Sequence, residues 1–170
     1  ASIGERTFYS CLSLIGIHAD ENSPNYSSDD RGVLFDKEKT RLIQAPGAIA
    51  DSYVIPDGVT SIGDYAFSYC SSLTSIQIPE RVRHIGYDAF TGCDSVTEFH
   101  VDKNNQYYTS IDGNLYSKDG TILIQYAPGK EDGSFEIPNG VTFINNNAFF
   151  GCPYITSVII PDSVTFIGDL

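Results

Sequence analysis

Methionine and tryptophan are absent from the 170-residue sequence, and positive charges are few. Ten Lys and Arg residues stand against 22 Asp and Glu residues, so the formal net charge is −12 at pH 7. A surface this acidic repels phosphate backbones and anionic lipids, which argues against nucleic acid as a partner. No apolar run approaches the ~18 residues that a membrane-spanning helix needs, so direct membrane insertion is not expected. Because the start methionine is missing, we expect the sequence to be part of a longer protein whose export signal lies outside it.

A ten-residue motif, typified by SIGDYAFSYC, recurs along the chain. Its copies span Ser2–Cys11, Ser61–Cys70, His84–Cys93 and Phe143–Cys152, and Val164–Gly168 begins another. The cysteines that end the copies are separated by 82 residues, from 11 to 93 and from 70 to 152, or by 23 residues, from 70 to 93. Such regular spacing identifies a repeat architecture.

A second motif has two apolar residues separated by one position and usually followed by proline, as in Ile76-Gln77-Ile78-Pro79. Its copies begin at residues 17, 53, 76, 99, 135 and 158, so the intervals are 36, 23, 23, 36 and 23 residues. Three successive intervals make a super-repeat of 82 residues, and two super-repeats account for nearly the whole chain. This periodicity predicts a single solenoid over residues 1–170, with both ends lying within a coil.

Each 23-residue coil has the pattern of a short strand, a turn and a second extended segment. Apolar Ile76 and Ile78 point to one face of the strand, and the proline that follows ends the hydrogen-bond ladder. Ala66-Phe67-x-x-Cys70 is interpreted as one or two helical turns. The predicted fold class is therefore a β-rich α/β solenoid with a long parallel β-sheet on one face. Apolar edges at its two ends predict end-to-end self-association at high concentration.

The 36-residue coils carry additional residues that predict a β-hairpin. Asn114–Tyr126 turns at Lys-Asp-Gly, and Val33–Gln44 is its counterpart. We expect the two hairpins to project from one side of the solenoid. Their tyrosines suit either a protein interface or packing against the solenoid, and their recurrence favours packing. These tyrosines are Tyr26, Tyr107, Tyr108, Tyr116 and Tyr126.

The motifs together closely resemble the BspA-type leucine-rich repeats, whose pattern runs I-P-x-x-V-x-x-I-G-x-x-A-F-x-x-C-x-x-L-x-x-I. The resemblance covers essentially all 170 residues and predicts a right-handed leucine-rich-repeat superhelix. It implies a bacterial, or in some cases protozoan, secreted or cell-surface protein, often an adhesin that contacts host proteins. The family shares no catalytic or ligand-binding residue set, so no site residue is transferred to this sequence.

All four cysteines hold one repeat position, shortly after the phenylalanine of a coil. A small apolar group fills the core at such a position, and free cysteine is among the most buried residue types. We therefore predict buried structural thiols at Cys11, Cys70, Cys93 and Cys152. A disulfide between Cys70 and Cys93, on adjacent coils, is the alternative.

No motif for catalysis or cofactor binding occurs, so the sequence predicts neither an enzyme nor a cofactor. His18 and His100 are 82 residues apart and hold the same strand position in two coils, so they do not form one site. The acidic stretches that begin at Asp20 and Asp102 lack the central glycine and the final glutamate of a calcium loop, and no metal site is predicted.

The outward strand positions carry the candidate binding face. They vary in size and charge, as suits protein recognition on a repeat scaffold, although an ordinary solvated face has the same appearance. The candidate residues are His18, Val54, Gln77, Glu98, His100, Glu136 and Ile159. We predict a non-enzymatic protein-binding or adhesion module of an extracellular or cell-surface protein, with extracellular or host-surface proteins as partners. A structural spacer that displays other domains and binds no ligand is the second hypothesis.

Overall fold

Strands and turns build the described fold. The computed structural model describes residues 3–4 and 6–169, and it contains no helix within them. Ser2 and Glu5 of the first motif copy lie outside the described residues. The strands are β1 (Tyr26–Ser28), β2 (Leu34–Asp36), β3 (Arg41–Gln44), β4 (Ala50–Val54), β5 (Ser61–Ile62), β6 (Ser72–Ile78), β7 (His84–Ile85), β8 (Glu98–Val101), β9 (Tyr108–Ile111), β10 (Asn114–Ser117), β11 (Ile122–Gln125), β12 (Ser134–Glu136), β13 (Phe143–Ile144), β14 (Ser157–Ile159) and β15 (Phe166–Ile167).

Parallel pairing between successive coils forms one side of the solenoid. The strands β4, β6 and β8 pair in that order, and β12 pairs with β14. Paired residues such as Ser134 and Ser157 are 23 positions apart, so each strand lies beside its own copy in the next coil. Ile76 and Phe99 point inward and are fully buried. The predicted solenoid with parallel strand stacking is confirmed.

The long parallel sheet predicted from the repeats is divided between β8 and β12. The turn between β9 and β10 lies against β8, where the Phe99 amide donates to the Gly113 carbonyl oxygen at 2.7 Å. The first super-repeat has the same arrangement, since the Ile17 amide donates to the Gly32 carbonyl oxygen at 2.9 Å. Both glycines have a left-handed φ, +76° and +71° respectively, which other residues rarely adopt. A hairpin turn therefore takes the place of a neighbouring strand at each of these positions.

Both predicted hairpins form, but they are built into the second sheet. The strands β1, β2 and β3 pair antiparallel, and β3 continues in parallel with β5 and β7. In the same way β9, β10 and β11 continue into β13 and β15. The expectation of projecting hairpins is wrong, because the hairpin strands contribute Phe35, Leu42, Tyr116 and Leu123 to the core, all fully buried.

Packing accounts for most of the hairpin tyrosines. Tyr116 and Tyr126 are fully buried, Tyr26 and Tyr108 are half-buried, and Tyr107 is exposed. The Tyr108 hydroxyl accepts a hydrogen bond from the half-buried Ile85 amide at 3.1 Å. Its side chain therefore links the edge strand β7 of one mixed sheet to the edge strand β9 of the other.

The helical turns expected around Ala66 are absent, and the α/β description is corrected to an all-β solenoid. The amides of Tyr65 and Phe67 donate to the next coil, to the carbonyl oxygens of Tyr87 and Ala89 at 2.9 and 2.8 Å. Only the amides between them, such as that of Ala66, form short local turns. An α-helix is not formed, because alternate donors are used between coils and Tyr65 has a left-handed φ of 57°.

The apolar core has two parts that meet at the second hairpin. The larger part includes buried residues from Val33 to Ala127, and the smaller comprises Tyr116, Leu123, Ile137, Val141, Ile144 and Ala148. Each coil contributes a few apolar groups that its neighbours cover. The right-handed course of the chain and the 36-residue length of the hairpin-bearing coils stay predictions.

Gly86→Ala is expected to lower the free energy of unfolding by about 1–3 kcal/mol, because stacked coils leave no room for a side chain there. A Cβ atom on Gly86 would lie 2.4 Å from the Asp64 amide nitrogen of the preceding coil. Urea unfolding measures the loss. The matched control is Gly58→Ala, whose nearest contact would be the Lys39 carbonyl oxygen at 3.6 Å. Equal stability of the two variants would contradict this close stacking.

Tyr108→Phe is expected to lower the free energy of unfolding by about 1 kcal/mol, because the Ile85 amide loses its hydrogen-bond acceptor. Thermal unfolding of the variant, compared with Tyr107→Phe at the adjacent exposed tyrosine, measures the effect. A Tyr108→Phe protein as stable as the Tyr107→Phe protein would show that the hydroxyl does not link the two mixed sheets.

Candidate interaction surface

The outward residues of β4, β6 and β8 form an exposed surface. In the strand register Gln77 lies between Val54 and His100, which places all three side chains in one row. A second row, on the same face, contains Ser52, Ser75 and Glu98. All of these residues are exposed except Ser75, which is half-buried. We call the two rows the three-strand face: Ser52, Val54, Ser75, Gln77, Glu98 and His100.

A contact between a histidine and a glutamate side chain lies at one side of the three-strand face. His100 Nε2 lies 2.9 Å from Glu98 Oε1, and the two side chains are 52% and 48% exposed. A polar contact this open to water contributes little to stability. Its polar groups are therefore available to a partner at small cost to the fold.

A shallow cavity of about 200 Å³ lies at the carboxyl end of the three-strand face. Its wall includes the side chains of Val54, Gln77 and His100, and the turns that follow the strands add Asp57 and Asp102. Val54 is 57% exposed and supplies an apolar group to this surface. The cavity therefore combines an apolar contact with acidic groups, which suits a partner surface with basic or hydroxyl groups around an apolar centre.

Both edges of the three-strand face are closed by hairpin turns. Arg31, in the turn between β1 and β2, donates to the carbonyl oxygens of Ala50 and Ser52 at 2.6 and 3.2 Å. In the same turn Asp29 accepts a hydrogen bond from the Tyr53 hydroxyl at 2.6 Å, and burial together with this bond raises the pKa of Tyr53. The β9–β10 turn covers the other edge. A partner strand therefore finds no open edge here, and recognition depends on side chains.

The structure brings together only part of the predicted binding column. Val54, Gln77, Glu98 and His100 lie side by side, as their strand positions indicated. Glu136 and Ile159 pair with each other on β12 and β14, in a separate sheet, and His18 is exposed but lies outside any strand. The column predicted as one continuous surface is corrected to separate pieces, because the hairpin turns interrupt strand pairing.

Sequence reasoning missed the groups that frame the three-strand face. Asp57 and Asp102 follow strand motifs, so their positions in the turns could have been predicted from the sequence. The contact that Arg31 makes could not, because it depends on a hairpin turn that lies against a strand about twenty residues later in the chain.

Burial separates the four cysteines, all of which are free thiols. Cys70 and Cys93 are fully buried, and their Sγ atoms lie 3.6 and 3.1 Å from carbonyl oxygens of the preceding coil. Burial raises the pKa of Cys70 to about 12 and that of Cys93 well above its ordinary value. Cys152 is half-buried and Cys11 is exposed. The prediction of four buried thiols therefore holds for Cys70 and Cys93, is corrected at Cys11, and is met only in part at Cys152. Neighbouring coils pack against Cys70 and Cys93 on both sides, whereas the described turn that ends at Cys11 has a neighbouring coil on one side.

The described residues offer neither a metal site nor a membrane-spanning helix. Within residues 3–4 and 6–169, no group of three or more His, Cys, Asp or Glu side chains is arranged to hold a metal ion. The same part of the chain contains no helix that is long and apolar enough to cross a bilayer.

Comparison with known proteins identifies related sequences and folds. The family model of the BspA type leucine rich repeat region matches residues 49–122 and 131–170 in six copies, which is more than half of the chain. A search of curated proteins gave no match.

Three solved structures are similar over much of this chain. A leucine-rich repeat protein from Eubacterium ventriosum is 29% identical, with 70% of this chain and 32% of that chain covered and a TM-score of 0.67. A leucine rich cell surface protein from Faecalibacterium prausnitzii is 36% identical, with 71% and 38% covered and a TM-score of 0.57. The pneumococcal vaccine antigen PcpA is 22% identical, with 97% of this chain and 39% of that chain covered. Its TM-score is 0.63, and it shares the fold. This chain spans between 32% and 39% of the length of these proteins.

Iodoacetamide is expected to label Cys11 in the native protein, and Cys70 and Cys93 only after unfolding in urea. The thiolate is the reactive form of cysteine, and the folded core excludes both solvent and charge. Raising the pH to about 9, near the ordinary pKa of a thiol, should leave Cys70 unreactive because its folded-state pKa is about 12. Mass spectrometry of the labelled peptides measures the pattern. Native labelling of Cys70 as fast as that of Cys11 would contradict it.

Proposed function

Because the chain belongs to the BspA-type leucine-rich repeat family, we propose that it is a non-enzymatic protein-binding module of an extracellular or cell-surface protein. Leucine-rich repeats are a general protein-interaction fold, and stacked coils provide an extended surface for partners. One similar structure is described as a leucine rich cell surface protein, which supports a location outside the cell. Because this chain covers only 32% and 38% of the lengths of these similar structures, the activity and partners of a whole protein are part of this proposal.

The three-strand face is the observation that carries the proposal. Its inward residues are fixed in the core, so its outward residues are displayed on a stiff scaffold that needs little ordering when a partner binds. Val54 supplies an exposed apolar contact, and Glu98 and His100 supply polar groups next to it. Asp57 and Asp102 add negative charge at one end. These features favour adhesion to a protein partner whose contact patch is apolar at its centre and basic at its rim.

The spacer hypothesis makes a different prediction about the same residues. A spacer needs stiffness and solubility, and the outward residues of the three-strand face then serve only to contact water. Changing Gln77 and His100 would have no effect on any function of a spacer.

A pull-down with a matched control tests the proposal. The immobilised chain is exposed to extracellular-matrix and host-cell surface proteins, and the affinity of each retained protein is then measured for two variants. Gln77→Ala/His100→Ala changes the three-strand face, and we expect it to weaken binding of a specific partner by about tenfold or more, which corresponds to roughly 1.4 kcal/mol. Glu136→Ala/Ile159→Ala changes the same column on the separate β12–β14 sheet, and we expect it to bind like the parent.

Two outcomes would count against the proposal. Equal weakening by the two double variants would show that binding does not depend on the three-strand face in particular. The absence of any saturable partner would favour the spacer. Circular dichroism confirms that each variant is folded, as expected for substitutions at exposed positions.

A further inference from the structure

Four tyrosines lie in contact on the turns that connect the two sides of the solenoid, away from the three-strand face. The ring of Tyr9 packs edge-on against Tyr65 and Tyr69, with centroid distances of 5.9 and 5.1 Å. The ring of Tyr65 packs in the same manner against Tyr87, at 5.8 Å. We call these four residues the tyrosine cluster. Tyr65 is buried, whereas Tyr9 and Tyr87 are exposed.

The fold does not require these aromatic rings. The second super-repeat forms the same turns with other residues at the positions 82 places later in the chain. Those equivalents of Tyr9, Tyr65, Tyr69 and Tyr87 are Thr91, Asn147, Gly151 and Asp169. The tyrosine cluster is therefore an addition to the first super-repeat and not part of the repeat pattern.

Two of the tyrosines occupy positions that the backbone makes unfavourable for them. Tyr65 and Tyr69 have left-handed φ angles of 57° and 60°, a region that favours glycine, asparagine and aspartate. Their equivalents Asn147 and Gly151 are residues of that kind, with φ angles of 54° and 70°. A bulky side chain at such a position costs about 1 kcal/mol or more. The second super-repeat avoids this backbone strain at the equivalent positions. Its presence at Tyr65 and Tyr69 therefore indicates that the tyrosine side chains themselves have a function.

The cluster already binds one guanidinium group from its own chain. The Arg6 guanidinium carbon lies 4.3 Å from the centroid of the Tyr65 ring and 5.6 Å from that of Tyr9. Arg6 Nη2 also donates a hydrogen bond to the Tyr65 hydroxyl. This contact combines a cation over an aromatic face with a hydrogen bond to the ring's own hydroxyl.

The far side of the cluster offers the same chemistry without an occupant. Tyr87 is 52% exposed, and among the described residues no lysine or arginine lies over the ring of Tyr87 or Tyr69. Two carboxylates lie near Tyr87 in the structure: Asp64 accepts a hydrogen bond from the Tyr87 amide at 2.6 Å, and Asp88, the next residue, accepts one from the Asn147 side chain at 2.7 Å. The hydrogen bond with Tyr9, and to a lesser extent the charges of Asp94 and Asp88, raise the pKa of Tyr69.

We propose that the tyrosine cluster is a second binding site, which takes an arginine-rich segment of a partner protein with a guanidinium group over the exposed ring of Tyr87. Arginine fits better than lysine, because its planar group stacks on a ring while its donors reach carboxylates in a fork. The surrounding negative charge and the chain's net charge of −12 attract such a segment from a distance. The site lies apart from the three-strand face and goes beyond the function proposed for it.

Titration with a six-residue arginine peptide tests the proposal, using calorimetry on the full chain. We expect Tyr87→Leu to weaken binding about three- to tenfold, the amount expected for loss of a cation–π contact. Tyr69→Gly removes a ring that contacts Tyr9, and it should retain binding while keeping or raising stability, because Gly151 holds the equivalent position. Tyr87→Phe should retain binding, because the ring remains. The matched control is Tyr107→Leu, at a tyrosine that is also 52% exposed but lies on the second hairpin.

Several results would overturn the proposal. Equal weakening by Tyr87→Leu and Tyr107→Leu, or equal binding of a six-residue lysine peptide, would reduce the interaction to general attraction by an acidic protein. Binding of neutral oligosaccharides that is lost in Tyr87→Leu, without arginine-peptide binding, would identify the cluster as a sugar site instead. The double variant Gln77→Ala/His100→Ala should bind the arginine peptide normally. This variant therefore distinguishes a failure of the function proposed for the three-strand face from a failure of the binding site proposed at the tyrosine cluster.

Discussion

Close approach between the backbones of successive coils is the constraint on which the rest of the structure depends. The ladders that hold the sheets run between coils, and so do alternate hydrogen bonds of the connecting turns. Coils stack so tightly at Gly86 that even a methyl group would meet the preceding coil. Since no coil can bury its apolar residues alone, each one is folded only against its neighbours. This interlocking produces a stiff scaffold whose outward residues are free to vary.

The hairpins are the second organising feature. Their strands continue the sheet on one side, and their turns interrupt the sheet on the other, where the Gly32 carbonyl oxygen accepts from the Ile17 amide and the Gly113 carbonyl oxygen accepts from the Phe99 amide of β8. The result is a group of three parallel strands with a turn along each edge. Arg31 strengthens one of these edges with hydrogen bonds to β4. A surface of this kind resists pairing with strands of other molecules, and it presents side chains in a defined arrangement.

The two proposed sites share one physical property, which is that packing does not select their residues. The residues of the three-strand face alternate along their strands with the residues that are buried in the core. The tyrosine cluster lies on turns that the second super-repeat forms without tyrosine. At Tyr65 and Tyr69 the backbone even opposes the residue present. Positions where neither the core nor the backbone explains the side chain are where recognition by partners is best sought.

The amino-acid sequence alone determined the repeat, its phase and the inward or outward direction of most strand residues. That was possible because a stacked coil imposes its period directly on the chain, and Val54, Gln77 and His100 were found in one row for this reason. Only the tertiary structure decided where the row ends. The Gly113 carbonyl oxygen accepts from β8 at the position where a further strand would pair, and the spacing of residues in the sequence does not reveal this contact. It likewise decided that alternate turn amides bond between coils and prevent a helix. The meeting of Arg6 with Tyr65, 59 residues apart, depends on the whole first hairpin lying between them, so local patterns carry no trace of it.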